Sequence, residues 1–426
     1  MTRTAVSSKP RSEARAIEVA LSVNATTALP YVLIGASAVR MTDELGFDEA
    51  ALGVLLSLFS LGGLLISPFA GFLIERMGAS RGLRFAAGVA AVTSLLVALA
   101  GRSWWSLALI MLVGGTASGL TSPAANLWIA RAVPRDRHGF ALGMKQAANP
   151  VTSILGGLAV PLVVLPLGWR WGFVGAAILA VLAMAFVPRL PRQPRPTSVA
   201  PAPSLAVSGA STRPDDPDAA AAGIKRRALL VLMVGTFLGF VAQSPLQAFY
   251  VVSAVDAGVD QGLAGFMLAA GGIASLAMRV GIGAVADRGG RSVLKQVAML
   301  LVGGGIAYSV FATGRPALIV AMTPIVFCTA NGWSGLVHLA VVQSHPEAPA
   351  AATGIIMLGS YGGVVVGPTL FGLIAQRSYP VAWAVWAVIL VMAAVTMLAA
   401  QIALRRSAGA DASRRAGVPS GPGPSS

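Results

Sequence analysis

The chain has 426 residues, 56% of them apolar or aromatic and only 11% charged, with a mean hydropathy of +0.76. A soluble protein carries about a quarter of its residues as charges, so this composition excludes one and makes lipid the main solvent. The formal charge of +15 is scattered between apolar blocks, which argues against a nucleic-acid partner, and the single cysteine, Cys328, excludes a disulfide framework.

A helix crossing hydrocarbon needs about 20 mostly apolar residues, because each backbone N–H and C=O must bond within its own segment. After an N-terminal tail, 1–16, that window gives spans at 17–41, 51–74, 83–101, 104–130, 139–165 and 171–187. The basic residues before the first span and the small run Ala36-Ser37-Ala38 imitate a secretory leader. The length of the segment, with Asn24, Pro30 and Tyr31 inside it, argues for a span instead. A stretch at 188–227 with many prolines and the acidic trio Asp215, Asp216 and Asp218 cannot bury a core and reads as a linker. Spans then follow at 228–252, 262–286, 293–313, 316–343, 351–375 and 380–404, before a Gly/Ser/Pro-rich tail, 405–426.

The expected fold is therefore an all-α polytopic membrane protein of about twelve transmembrane helices. An even number of spans puts both termini on one side. The loops of the opposite side hold only Arg40, Arg102, Arg170, Arg315 and Arg377 of the 31 Lys and Arg. Positive charge accumulates on the cytoplasmic face, so both termini and the linker are expected there, with the protein integral to the plasma (inner) membrane and the lipid bilayer as its partner.

The chain also repeats. At an offset of 212, Gly46, Asp48 and Gly53 fall on Gly258, Asp260 and Gly265, and Gly71, Glu75, Arg76 and Gly78 fall on Gly283, Asp287, Arg288 and Gly290. Two loops agreeing at one offset make 17–187 and 228–404 pseudo-symmetric six-helix bundles entering the membrane in the same direction, a pattern of transporters. Physically, glycine at 71 and 283 permits close helix approach and glycine at 78 and 290 suits a tight turn.

The segments from Gly71 to Gly78 and from Gly283 through Asp287, Arg288 and Gly290 to Arg291 resemble the G-x-x-x-D-R-x-G-R/K signature of the major facilitator superfamily. The first copy has Glu75 in place of the usual Asp, and Ala79 and Ser80 where basic residues are common. The resemblance implies secondary transport of a small-molecule substrate by alternating access, with no cofactor and with a coupling proton or ion left open. It also implies a cytoplasmic latch in which Glu75 and Arg76 meet the start of the eleventh span and Asp287 and Arg288 that of the fifth. A solvated turn whose charges set topology is the competing reading.

Polar side chains inside spans face a bundle interior or a wet cavity. Asn24, Thr27 and Tyr31 share a face of the first span, Gln146, Asn149 and Ser153 one of the fifth, Gln243, Gln247 and Tyr250 one of the seventh, and Asn331, Ser334 and His338 one of the tenth. Asn126 adds a member on the fourth. In the resembled superfamily the first, fourth, seventh and tenth helices line the cavity, so these are candidate substrate-binding residues. Interhelical hydrogen bonding, at about 0.6 to 2 kcal/mol each, is the alternative.

Lys145 lies about two turns inside the fifth span and Arg279 about two turns before the end of the eighth, with no embedded carboxylate near either in sequence. They either snorkel to the interface or bind the charge of an anion. The segment from Val133-Pro134 through Lys145 to Pro161 and Gly168-Trp169-Arg170 is similar to the small-anion branches of the superfamily, those for cyanate, nitrate and organic acids. The favoured substrate is a small organic or inorganic anion, with efflux of drugs or hydrophobic metabolites as the alternative. No H-E-x-x-H, G-x-S-x-G or Walker motif is present. The three histidines are dispersed, so neither an enzyme nor a metal site is expected, and a polytopic membrane enzyme or receptor stays a remote reading.

Overall fold

The computed structural model describes residues 9–134, 137–189, 217–286, 293–344 and 349–416. The described chain is helical: α1 (Lys9–Leu45), α2 (Glu49–Met77), α3 (Ala79–Ala100), α4 (Trp104–Ala132), α5 (His138–Gln146), α6 (Ala148–Ala159), α7 (Leu165–Leu167), α8 (Trp169–Phe186), α9 (Pro217–Asp256), α10 (Gln261–Ala286), α11 (Val293–Phe311), α12 (Pro316–Gly332), α13 (Ser334–Ser344), α14 (Pro349–Ala375) and α15 (Tyr379–Ala416). Twelve stretches are long and apolar enough to cross a membrane, and the molecule is an integral membrane protein. Two spans are built from pieces. The fifth turns at Ala147 and passes through a π-helical turn, Val160–Val164, that contains Pro161. The tenth breaks at Trp333 between α12 and α13.

Local chemistry sets the ends. Asp48 accepts from the Ala51 N–H at 2.8 Å and caps α2, while Ser103 and Ser106 form a capping box at the start of α4. Gly78 joins α2 to α3 at φ +84°, a conformation that L side chains rarely adopt. Large apolar side chains such as Phe69, Leu99, Trp105, Leu109 and Met299 point outward, as a surface facing hydrocarbon requires.

Within the N-terminal half α2 packs on α4, and α3 on α4 and α8; within the C-terminal half α9 packs on α14 and α15, and α11 on α12 and α15. Tyr308, Phe311, Phe371, Trp383 and Trp386 form a buried aromatic stack in the latter. The halves meet through α1 on α9, α2 on α14, and α6 with its π turn on α10.

These contacts concentrate on the side away from the termini. There Thr369 donates to Ser57 Oγ at 2.7 Å and Tyr379 donates to Glu49 Oε1 at 3.3 Å. A side chain on Gly53 would collide with the Pro368 carbonyl. On the termini side, a Cβ on Gly71, Gly143, Gly281, Gly335 or Gly354 would meet no described atom within 4 Å, so the close helix approach expected at Gly71 is not made among the described residues.

Candidate functional site

Lys145 stands on the last turn of α5 and is 6% exposed. Its ammonium turns toward α4, donating to Asn126 Oδ1 at 2.8 Å and Ser122 Oγ at 3.1 Å. Ser122 and Asn126 are four residues apart and so present one face of α4 to it. Asn24 of α1 donates through Nδ2 to the Lys145 carbonyl at 3.4 Å, which fixes the backbone just before the turn at Ala147. Both of these partners of the ammonium are neutral. The two ion pairs among the described residues, Arg137 with Glu13 and Arg170 with Glu44, lie elsewhere.

Arg279 lies on α10 of the other half, seven residues before its end. Its Nη2 donates to the Asn331 carbonyl at 2.9 Å and to Ser334 Oγ at 3.3 Å, across the break at Trp333. The break leaves the carbonyls ending α12 without the next turn's N–H groups, and the guanidinium takes up one of them. Trp333 itself is held by its Nε1 bond to the Ala330 carbonyl and by edge-on packing against Phe240.

The two cations lie toward the same end of the α6–α10 pair at the interface of the halves. α10 runs antiparallel to α6: Gly265 faces Gly157, Val160 and Pro161, while Gly272, seven residues on, faces Pro150 and Ile154. A further seven residues bring Arg279 opposite residues 143–147, where Lys145 stands. At the offset of 212 the counterparts of Arg279 and Asn149 are Ser67 and Tyr361, which lie on α2 and α14, the helices that pack together across the other side of the interface.

The other sequence candidates divide. Tyr31 donates across the halves to the Ser244 carbonyl at 3.1 Å. Thr27 is bonded within its own half to the Val23 carbonyl and Thr121, and the Tyr250 hydroxyl meets Thr323 Oγ1 at 2.7 Å among Phe311 and Phe327. These two join helices. Gln146 is half-buried and Asn149 exposed. Gln243 and Asn331 are 8% and 2% exposed, with Gln247 half-buried one turn beyond Gln243.

Of the gating motif, Glu75 is exposed and Arg76 lies over the Phe72 ring of its own helix at 4.3 Å. Asp287, Arg288, Gly290 and Arg291 lie outside the described residues, as do the side chain of His338 and any neighbours of Gly283. Ser122 and Ser275 were missed by the sequence reading. Each lies four residues before a noted polar residue, Asn126 and Arg279, and that spacing is the signal that finds them. Among the described residues no group of three His, Cys, Asp or Glu could hold a metal ion.

Comparison with known proteins agrees with this architecture. The "Putative tartrate transporter" of Agrobacterium vitis is 24% identical over 393 residues, 82% of this chain and 81% of that one. "Probable anion transporter 3, chloroplastic" of Arabidopsis thaliana is 28% identical over 152 residues, 35% of this chain and 30% of that protein's length. A facilitated glucose transporter of Mus musculus, solute carrier family 2 member 6, is 30% identical over 139 residues, 32% of this chain and 27% of its own length. Among solved structures, the nucleoside transporter NupG superposes with a TM-score of 0.67 at 15% identity, covering 91% of this chain and 98% of its own. The D-xylose-proton symporter also gives 0.67, at 18% identity, covering 92% and 97%; at such identities the likeness concerns the fold. The family model described as Major Facilitator Superfamily matches residues 20–347, and with that match over most of its length the chain belongs to the major facilitator superfamily.

Proposed function

We propose that the protein is a secondary transporter that carries a small organic or inorganic anion by alternating access, its two halves rocking about a site between Lys145 and Arg279. The observation that carries this reading is one cation from each half, each hydrogen-bonded to neutral groups. Removing an ion from water costs several kcal/mol unless a counter-charge offsets it, and ionisable groups within a membrane mark substrate or ion pathways. An anion bound between the two supplies that counter-charge and draws the halves together. The names of the tartrate and anion relatives agree with this reading.

With the termini cytoplasmic, closure on that side would bring Glu75 and Arg76 toward the start of α14. The test is a thermal-shift screen of the purified protein against carboxylates and inorganic anions, beside sugars, nucleosides and lipophilic cations. A ligand that binds the folded state alone, at about 100 times its Kd, adds about 2.7 kcal/mol of stability. Stabilisation by anions is expected; stabilisation by lipophilic cations alone would replace the reading with efflux.

A further inference from the structure

Hydrogen bonding in the two halves of the site is lopsided. Lys145 has two partners, whereas the C-terminal half holds several buried polar atoms with none: Arg279 Nε, both Nδ2 and Oδ1 of Asn331, Gln243 Oε1 and Ser275 Oγ. Buried polar groups are ordinarily paired, and an unmet one costs about 1 to 3 kcal/mol.

These atoms gather at one depth. Arg279 bonds the Asn331 backbone directly, and Ser275 precedes Arg279 by one turn of α10. On α9, Gly239 is packed against Trp333 and Tyr250 bonds Thr323. Gln243 lies between these two anchors, on the same face, and therefore level with Ala330 and Asn331.

The chemistry of the unmet atoms is mixed, and that restricts what can satisfy them. Arg279 Nε–H and Asn331 Nδ2 are donors and match a carboxylate. Asn331 Oδ1 and Gln243 Oε1 are acceptors. A bare anion such as nitrate, sulfate or an unsubstituted carboxylate offers acceptors only; the single Ser275 hydroxyl proton can meet at most one of the amide oxygens, and the other stays buried and unpaired. A hydroxyl can donate to one of them. An ammonium could donate as well, but would stand beside the Arg279 guanidinium, where like charges repel.

Resting on the anion reading above, we infer that this cluster recognises a hydroxylated carboxylic acid. The carboxylate lies on Arg279 Nε and Asn331 Nδ2, and the hydroxyl donates to Asn331 Oδ1 or Gln243 Oε1. Substrate identity is then read by the C-terminal half, while Lys145 supplies charge from the other side.

The C2-substituted pair L-lactate and L-alanine, with propionate as the unsubstituted parent, tests this by calorimetric titration of the purified full-length protein, with malate against succinate as a larger pair and nitrate and glycerol as controls. In the wild type each hydroxy acid is expected to bind about tenfold or more tightly than its deoxy partner, since a site built to bond a hydroxyl rejects the analogue lacking it. Gln243→Met is expected to bring that ratio toward one while leaving propionate and succinate within about twofold, and Asn331→Leu, on a different helix, to weaken the hydroxy and deoxy acids alike because it removes a carboxylate donor; melting of the unliganded variants reports whether each is folded. Equal binding of hydroxy and deoxy acids overturns the hydroxyl inference and leaves the anion reading standing, as does tighter binding of alanine than of lactate. Preferential binding of glycerol, unchanged in Arg279→Gln, overturns both.

Discussion

Replacing Lys145 by methionine separates a cation kept for its ligand from one kept for the fold. The side chain is buried, and its ammonium lies 2.8 Å from Asn126 Oδ1 and 3.1 Å from Ser122 Oγ. Burial of the charge costs several kcal/mol, and two hydrogen bonds from a charged donor return about 1.5 to 3 kcal/mol each, so the two nearly cancel. Methionine fills a similar volume, and Asn126, being exposed, can turn to water. The unliganded variant is therefore expected to match the wild type in stability or to exceed it by about 1 kcal/mol. Ligand binding behaves differently. An anion about 4 Å from the ammonium at an effective dielectric constant of about 20 gains about 4 kcal/mol, so its loss weakens Kd on the order of a thousandfold. Melting curves of the unliganded protein and calorimetric titration of the bound anion give the two numbers, and Lys145→Arg is expected to recover most of the affinity. A Kd within about threefold of wild type, or an unliganded variant destabilised by more than about 2 kcal/mol, would refute the argument.

Gly53→Val places a side chain against the Pro368 carbonyl on the closed side; at about 1 to 3 kcal/mol for such overpacking, the population shifts toward states open there. A cysteine introduced at Thr369, in a background with Cys328→Ser, should then react severalfold faster with a maleimide, and an unchanged rate would count against this contact as part of the closure. Tyr250→Phe removes the buried bond to Thr323 Oγ1 and should lower stability by about 1 to 2 kcal/mol while leaving anion affinity within about twofold, as melting and calorimetric titration of the variant would show.

The membrane spans were legible in the sequence because hydrocarbon imposes a length and a composition on every segment. Glu49–Met77 and Trp104–Ala132, for example, extend the expected 51–74 and 104–130 by only a few residues. The breaks were not legible. Hydropathy carries no register, so nothing in it marks the turn at Ala147 or the interruption at Trp333, where Arg279 takes up a carbonyl. The cations stood out because charge within an apolar run is conspicuous. What separates Tyr250, whose hydroxyl is held by Thr323, from Asn331, whose amide has no partner, lies on neighbouring helices far away in sequence, and spacing along one helix cannot reveal it.

The π turn at Val160–Val164 bears on how the two halves are to be counted against each other. A π turn accommodates one residue more than an α turn and rotates everything beyond it around the helix axis. The offset of 212 that pairs Ser67 with Arg279 falls by two before the sixth span, one residue of it at the π turn: α8 begins at Trp169 and its counterpart α15 at Tyr379, 210 residues later. The inner part of the fifth span can thus keep Lys145 turned to α4 while its outer part, out of phase with the repeat, meets α8 and α10. Positions after Val160 therefore have no true mates at the original spacing, and a symmetrised version of this protein, built by copying one half onto the other, would have to drop residues there before its helices could dock.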